Sequence, residues 1–104
     1  MGIAAGGDIG LVRWIAEVRV QLRPGIADPE GQTIAGGLRS LGFSTVSAVR
    51  HGKLLRVAFE AQDPGHATRE VEAMCRRLLA NPVMETATWE LRADDEPSDE
   101  SRLA

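Results

Sequence analysis

Two stretches of alternating side chains, each followed within a few residues by an Asp-Pro pair, constrain this chain more than anything else in it. In "RWIAEVRVQLR", residues 13–23, Trp14, Ala16, Val18, Val20 and Leu22 fall on one side and Glu17, Arg19, Gln21 and Arg23 on the other. A period of two marks a strand with one buried and one polar face. Residues 54–61, "LLRVAFEA", repeat the pattern, with Leu55, Val57, Phe59 and Ala61 set against Arg56 and Glu60. Asp28-Pro29 and Asp63-Pro64 come next in each case. An aspartate there accepts a free N–H of a first helical turn, and a proline in the first helical position gives up no hydrogen bond. The chain therefore reads as strand then helix, twice.

The first helix carries Ile34, Leu38 and Leu41 at helical spacing and ends at Gly42. The second has an apolar face of Ala67, Val71, Met74, Cys75 and Leu78, and Asn81-Pro82 stops it. Between the first helix and residue 54, "STVSAV" is rich in β-branched residues, and "HG" at 51–52 is suited to a turn. These features predict a hairpin of a second and a third strand. Residues 83–92, "VMETATWELR", form a last strand with Ala87, Trp89 and Leu91 on one side. The order is β-α-β-β-α-β, that of a ferredoxin-like α+β two-layer sandwich: a four-stranded antiparallel sheet with two helices on one face. The other sheet face, with Glu17, Arg19, Gln21, Arg56 and Glu60, meets water or a polar surface of another subunit.

A chain of 104 residues is expected to hold one domain. Residues 1–11 are small and Gly-rich and read as a flexible extension, residues 12–92 as the domain, and residues 93–104, "ADDEPSDESRLA", as an acidic disordered tail. A domain of this size buries only about 60–65% of its unfolded surface, so a partner interface would add stability. The net charge of −3 argues against nucleic-acid binding. No apolar run approaches the roughly 20 residues of a membrane span, and the start lacks the basic region of a signal peptide. A single cysteine excludes an intrachain disulfide, and a cytoplasmic location is expected.

Reaction chemistry is sparse. Cys75 lies on a helical apolar stripe, where a thiol behaves as a small hydrophobe. His51 and His66 have no partner at metal-ligand spacing and read as solvent-facing. Asp28 and Asp63 serve as caps, and Glu70, Glu72, Arg76 and Arg77 suit the usual pairs along a solvated helix. "DPEGQTIAGG" lacks the lysine of a phosphate loop, and the dinucleotide glycine pattern is missing. No catalytic, cofactor-binding or metal-binding residue is expected in this chain. Gly31 shares a face with Ile34, Leu38 and Leu41, which would let the first turn approach another backbone closely. Gly36 and Gly37 each cost a helix about 0.8–1 kcal/mol relative to alanine and read as a weak helix held by packing. "RHGK", residues 50–53, reads as a charged hairpin tip, either simply solvated or open to a protein partner or an anion.

Three stretches, "VQLRPGIADPEGQTI", "LRSLGFSTVSAVRHGK" and "MCRRLLANPVMET", resemble the PurS family, the small subunit of phosphoribosylformylglycinamidine synthase. The matches run in order from about residue 14 to 89. The chain departs from the family pattern in its first eleven residues, at Gly36-Gly37 and at Thr88-Trp89. The resemblance implies a non-catalytic subunit of a purine-biosynthetic ligase complex. Its partners would be a glutaminase subunit, a large synthetase subunit that uses ATP and Mg, and further copies of itself as a homodimer or tetramer. On that reading it bridges the two enzymes while ammonia passes to formylglycinamide ribonucleotide. The residues that the shared motifs offer as a subunit interface are Arg23, Pro24, Gly25, Asp28, Pro29, Gly31, Arg50, Gly52, Lys53, Asn81 and Pro82.

Two other classes share the element order. "RPGIAD" before a helix and "LGFSTVSA" after it loosely resemble an ACT-type module, which would bind a small regulatory molecule. An RNA-recognition domain would need aromatic residues on its central strands, and the chain has no tyrosine.

Overall fold

The computed structural model describes residues 10–94. Three strands and two helices follow in the order β1 (Val12–Leu22), α1 (Pro29–Ser40), β2 (Gly52–Ala61), α2 (Pro64–Met74) and β3 (Glu85–Ala93). The sheet is antiparallel, with β1 in the centre and the order β2-β1-β3. Val18 lies opposite Leu55 on one side and Trp89 on the other. That register puts most apolar residues of the three strands on one face. The fold is α+β and ferredoxin-like, as the pattern predicts. The expected extension and acidic tail lie outside the described residues, apart from residues 10, 11, 93 and 94.

The core follows the alternation of β1. Ala16, Val18 and Val20 are buried with Val71 of α2, and Leu55, Val57, Phe59, Ala87, Trp89 and Leu91 pack around them. Trp14, Ala61 and Ala67 form a second cluster, where the Trp14 indole N–H donates to the Ala61 carbonyl at 3.2 Å. Ile15, Val18, Val20 and Val71 are the largest fully buried side chains. Each contributes about 1.5–3 kcal/mol of apolar burial. Ile15 belongs to the other, polar face, where the alternation gives no sign that it is covered. Its neighbours across the strands are Ala58 and Arg92.

Both helices start as their aspartates dictate. The Asp28 carboxylate accepts from the Gly31 N–H at 2.9 Å, and that of Asp63 from the His66 N–H at 2.8 Å. Gly42 has φ of 104° just past α1, and Phe43 N–H reaches back to the Leu38 carbonyl at 3.0 Å. Glycine takes this left-handed position without a Cβ penalty, and the bonds satisfy the last helical carbonyls.

Three expectations need correction. First, "STVSAV" forms no second strand, and the sheet has three strands instead of four. Residues 44 and 45 instead turn, with Val46 N–H donating to the Phe43 carbonyl at 3.2 Å, and residues 46–51 run as an arm along α1. The Arg39 guanidinium donates to the Val46 carbonyl at 2.8 Å, and the Asp28 carboxylate accepts from the His51 N–H at 2.7 Å. Second, "HG" is no turn. The arm continues straight into β2, and Gly52 has no positive φ. Glycine is needed there because a Cβ would lie 2.6 Å from the Val20 carbonyl oxygen. Third, Leu78 does not face the sheet: it is 83% exposed. After α2 the chain makes one wider π-type turn, Cys75–Leu79, in which Ala80 N–H donates to the Cys75 carbonyl at 3.1 Å. The extra residue rotates Leu78 outward and brings Leu79 onto the core.

Candidate subunit interface

The proline-glycine pair after β1 turns the chain sharply. Gly25 has φ of 88°, and Ile26 N–H donates to the Arg23 carbonyl at 3.1 Å. Proline in the second place and glycine in the third are what a type II turn requires. Arg23 then ties this turn to the loop before β3. Its Nε and Nη2 donate to the Pro82 carbonyl at 3.1 and 2.8 Å, and its backbone N–H to the Met84 carbonyl at 2.8 Å. Asn81 shapes the same loop, its side-chain oxygen accepting from Val83 N–H at 2.9 Å and its own N–H donating to the Glu85 carboxylate at 2.7 Å.

Arg50 holds the arm from the other side. Its Nη2 donates to the Leu22 and Arg23 carbonyls at 2.9 and 3.3 Å, and its Nη1 reaches the Ile26 carbonyl at 3.5 Å. The guanidinium is committed to backbone oxygens of the turn, so the sequence picture of a charged hairpin tip does not apply to it. Lys53 stands exposed one residue into β2, opposite Val20.

Asp28 is the organising side chain of this end of the molecule. It is 4% exposed and joins three pieces of chain: its own loop, the first turn of α1 through Gly31, and the arm through His51. The N–H of His51 first, then that of Gly31, and the positive charge of Arg50 hold its carboxyl below the usual aspartate range. Gly31 makes the join feasible, since a Cβ there would collide with the Val49 carbonyl oxygen. The close backbone approach expected of Gly31 is therefore real, and its partner is the arm. Pro29 opens α1 beside it.

The residues offered by the motifs thus gather at one end of the sheet, in two connected groups. Arg23, Pro24, Gly25, Asn81 and Pro82 link the β1 turn to the β3 loop. Asp28, Pro29, Gly31 and Arg50 lock α1 to the arm, with Gly52 and Lys53 where the arm becomes β2. Most of their polar groups are already used within the chain, so they shape the surface more than they present charge on it.

Among the residues of these stretches that the interface expectation left out are exposed apolar ones. Ile34, Leu41 and Phe43 on and after α1 are 44%, 77% and 57% exposed, and Leu78, Val83 and Met84 between α2 and β3 are 83%, 78% and 43% exposed. The signal for Ile34 and Leu41 was visible as a helical stripe, but that stripe reads equally well as packing on the chain's own sheet.

The polar sheet face is a lattice of ion pairs. Glu17 accepts from Arg56 at 3.0 Å and from Arg19 at 2.9 Å, and Arg19 approaches Glu90 at 3.8 Å. The Arg56 hydrogen bond leads in holding the Glu17 carboxyl below its usual range. His66 is exposed against Asp63 at 2.9 Å, and half-exposed His51 lies 3.3 Å from Glu30. Cys75 is half-buried, and burial pushes its thiol up. Among the described residues no three His, Cys, Asp or Glu side chains gather as metal ligands, and no helix is long and apolar enough to cross a membrane.

The family profile described as PurS, phosphoribosylformylglycinamidine (FGAM) synthase, matches residues 15–93, from the second turn of the alternation in β1 to the end of β3. The chain belongs to the PurS family. It is 45% identical over 71 residues to phosphoribosylformylglycinamidine synthase subunit PurS of Archaeoglobus fulgidus, a match that covers 68% of this chain and 89% of that one. Among solved structures, PurS of Thermus thermophilus is 41% identical with a TM-score of 0.69, over 77% of this chain and 95% of that one. A chain in the structure of PurLQS from Thermotoga maritima is 33% identical with a TM-score of 0.68, over 79% of this chain and 98% of that one. PurS chains are therefore matched over nearly their whole length.

Proposed function

We propose that this chain is the non-catalytic small subunit of phosphoribosylformylglycinamidine synthase in de novo purine biosynthesis. It bridges a glutaminase subunit and a large ATP- and Mg-dependent synthetase subunit in the cytoplasm, and it assists the passage of ammonia to formylglycinamide ribonucleotide. It also associates with itself. One observation carries the reading: the PurS match spans residues 15–93, which takes in both helices and all of the sheet except the first three residues of β1. The Thermotoga maritima assembly, in which such a chain is found with others, supports the partnership. The surface described above suits a scaffold, since Arg23, Asp28 and Arg50 are spent on fixing loops and several large apolar side chains stand exposed.

Reconstitution tests this. Glutaminase and synthetase subunits from the same source are assayed for glutamine-dependent product with and without the chain, and again with ammonium chloride in place of glutamine. The glutamine-dependent rate should require the chain, whereas the ammonium-dependent rate should persist without it. A full glutamine-dependent rate in its absence would refute the proposal.

A further inference from the structure

The π turn after α2 exposes three consecutive side chains, Arg76, Arg77 and Leu78, while Leu79 packs on the core. Such turns interrupt a regular helix and gather at functional sites. Val83 and Met84, in the short loop that leads to β3, stand exposed as well. Arg76 and Pro82 border one cleft between that loop and the turn. The two guanidiniums are unlike most others in the chain. Arg19 and Arg56 are held by Glu17, and Arg23, Arg39 and Arg50 by backbone carbonyls. Arg76 and Arg77 join no ion pair and no side-chain hydrogen bond among the described residues. Glu85, on the same cleft as Arg76, accepts from the Asn81 N–H at 2.7 Å instead. Glu72, one turn earlier on α2, pairs with neither.

We propose that the π turn is a docking point for a partner subunit, and that the partner's contacting segment carries carboxylates beside an apolar side chain. The inference rests on the bridging role proposed above and adds a surface for one of its contacts. A protein suits this surface better than a small anion does. Consecutive residues of a helical turn point roughly 100° apart, so Arg76 and Arg77 do not converge on one phosphate. Nucleic acid is opposed by the net charge of −3. Leu78, Val83 and Met84 provide an apolar centre, and the arginines lie at its margin, with stems that add apolar cover. A second copy suits it less, because a two-fold contact centred on the turn would bring the arginines of one copy against those of the other. Carboxylates on a different protein answer both guanidiniums and speed the encounter.

Titration of the full-length chain into the glutaminase and synthetase subunits tests this, with the rise in glutamine-dependent rate as the readout. Arg76→Glu/Arg77→Glu should need at least about tenfold more protein than the parent for half the maximal rate, as for reversed charges at a contact. Light scattering and circular dichroism should show the parent's oligomeric state and fold. Arg76→Lys/Arg77→Lys retains the charge and should recover most of the difference. Raising NaCl from about 50 to about 300 mM should narrow the gap between the parent and the Glu variant, since screening weakens attraction and repulsion alike. Leu78→Asp should shift the half-point in the same direction as the Glu variant. If the glutamine-dependent rate does not require the parent chain, the proposed function and this surface both fall. If it does, and the Glu variant reaches half the maximal rate at the parent's concentration, the surface is wrong while the function stands. A Glu variant that loses the parent's oligomeric state also overturns the proposal, because the turn then serves contact between copies.

Discussion

Replacing Gly31 by alanine should destabilise the protein, although in an ordinary helix that change is stabilising. Relative to glycine, alanine in a helix interior gains about 0.8–1 kcal/mol. At position 31 the new methyl would meet the Val49 carbonyl oxygen, and the Asp28 carboxylate oxygen at 2.7 Å. Non-bonded heavy atoms rest near 3.5 Å, so the arm has to retreat by about 1 Å. Val49 presents backbone and has no rotamer to yield, which puts the overpacking cost near the upper end of the usual range of about 1–3 kcal/mol. The retreat also pulls the His51 N–H away from Asp28, to which it donates at 2.7 Å. With the helical gain subtracted, the net loss is about 2 kcal/mol. Gly36→Ala is the matched control. It lies in the same helix with nothing within 4 Å of its would-be Cβ, and should gain close to the full 0.8–1 kcal/mol. Urea denaturation at fixed protomer concentration gives both values, and amide hydrogen exchange shows whether the Gly31→Ala loss is confined to α1 and the arm. Equal stabilisation by the two substitutions would refute the close approach of α1 to the arm. So would a Gly31→Ala protein whose α1 amides are protected like the parent's.

Acid should loosen the same lobe. The Asp28 carboxyl is held below its ordinary value in the folded chain, so its contribution is fully present above the unfolded value and is lost as the pH falls towards the folded one. Exchange of α1 amides should therefore be insensitive to pH-linked opening near neutrality and accelerate below the ordinary aspartate range. Asp28→Asn, which retains one acceptor oxygen for two N–H donors, should be less stable at pH 7 and show a shallower acid transition; an unchanged acid transition would remove Asp28 from this role. Cys75, whose thiol burial pushes up, should react with iodoacetamide at pH 7.5 at least about tenfold more slowly than free cysteine, and urea should abolish the difference. Val71→Ala, which empties part of the contact between α2 and the sheet, should cost about 2–3 kcal/mol by urea denaturation, whereas Leu78→Ala on the exposed π turn should cost less than about 0.5 kcal/mol in the monomer.

What was legible in the sequence was local. The alternation of β1 fixed its buried side, because each strand residue has only two faces to choose between. Asp28 and Asp63 announced two helix starts, since their carboxylates reach N–H groups three residues away. The closeness of Gly31 to another backbone followed from its place on the apolar side of α1. The misses depend on matters that a short window does not contain. The π turn inserts one residue into a helix without any residue type that demands it, and this alone sends Leu78 outward and Leu79 inward. Arg50 reads as free charge because its acceptors, the carbonyls of Leu22, Arg23 and Ile26, lie more than twenty residues earlier.

The arm is the instructive case. Its β-branched residues fit a pleated surface, and that fit is realised only beside a neighbouring strand. Likewise the stripe Ile34, Leu38 and Leu41 shows that α1 needs an apolar cover without showing whose. Periodicity identifies the side chains that must leave water, and it is silent on whether the cover belongs to the same chain. In a large domain the two questions have the same answer. In a domain of this size, where one helix and one π turn cover only part of a three-stranded sheet, they separate. A segment whose pattern is right and whose intrachain partner is missing then marks the place where another chain has to be sought. Here that segment is tied to its own chain through Asp28, Gly31 and Arg50, so part of the ordering cost of presenting it is met within the fold and binding has less of it to supply.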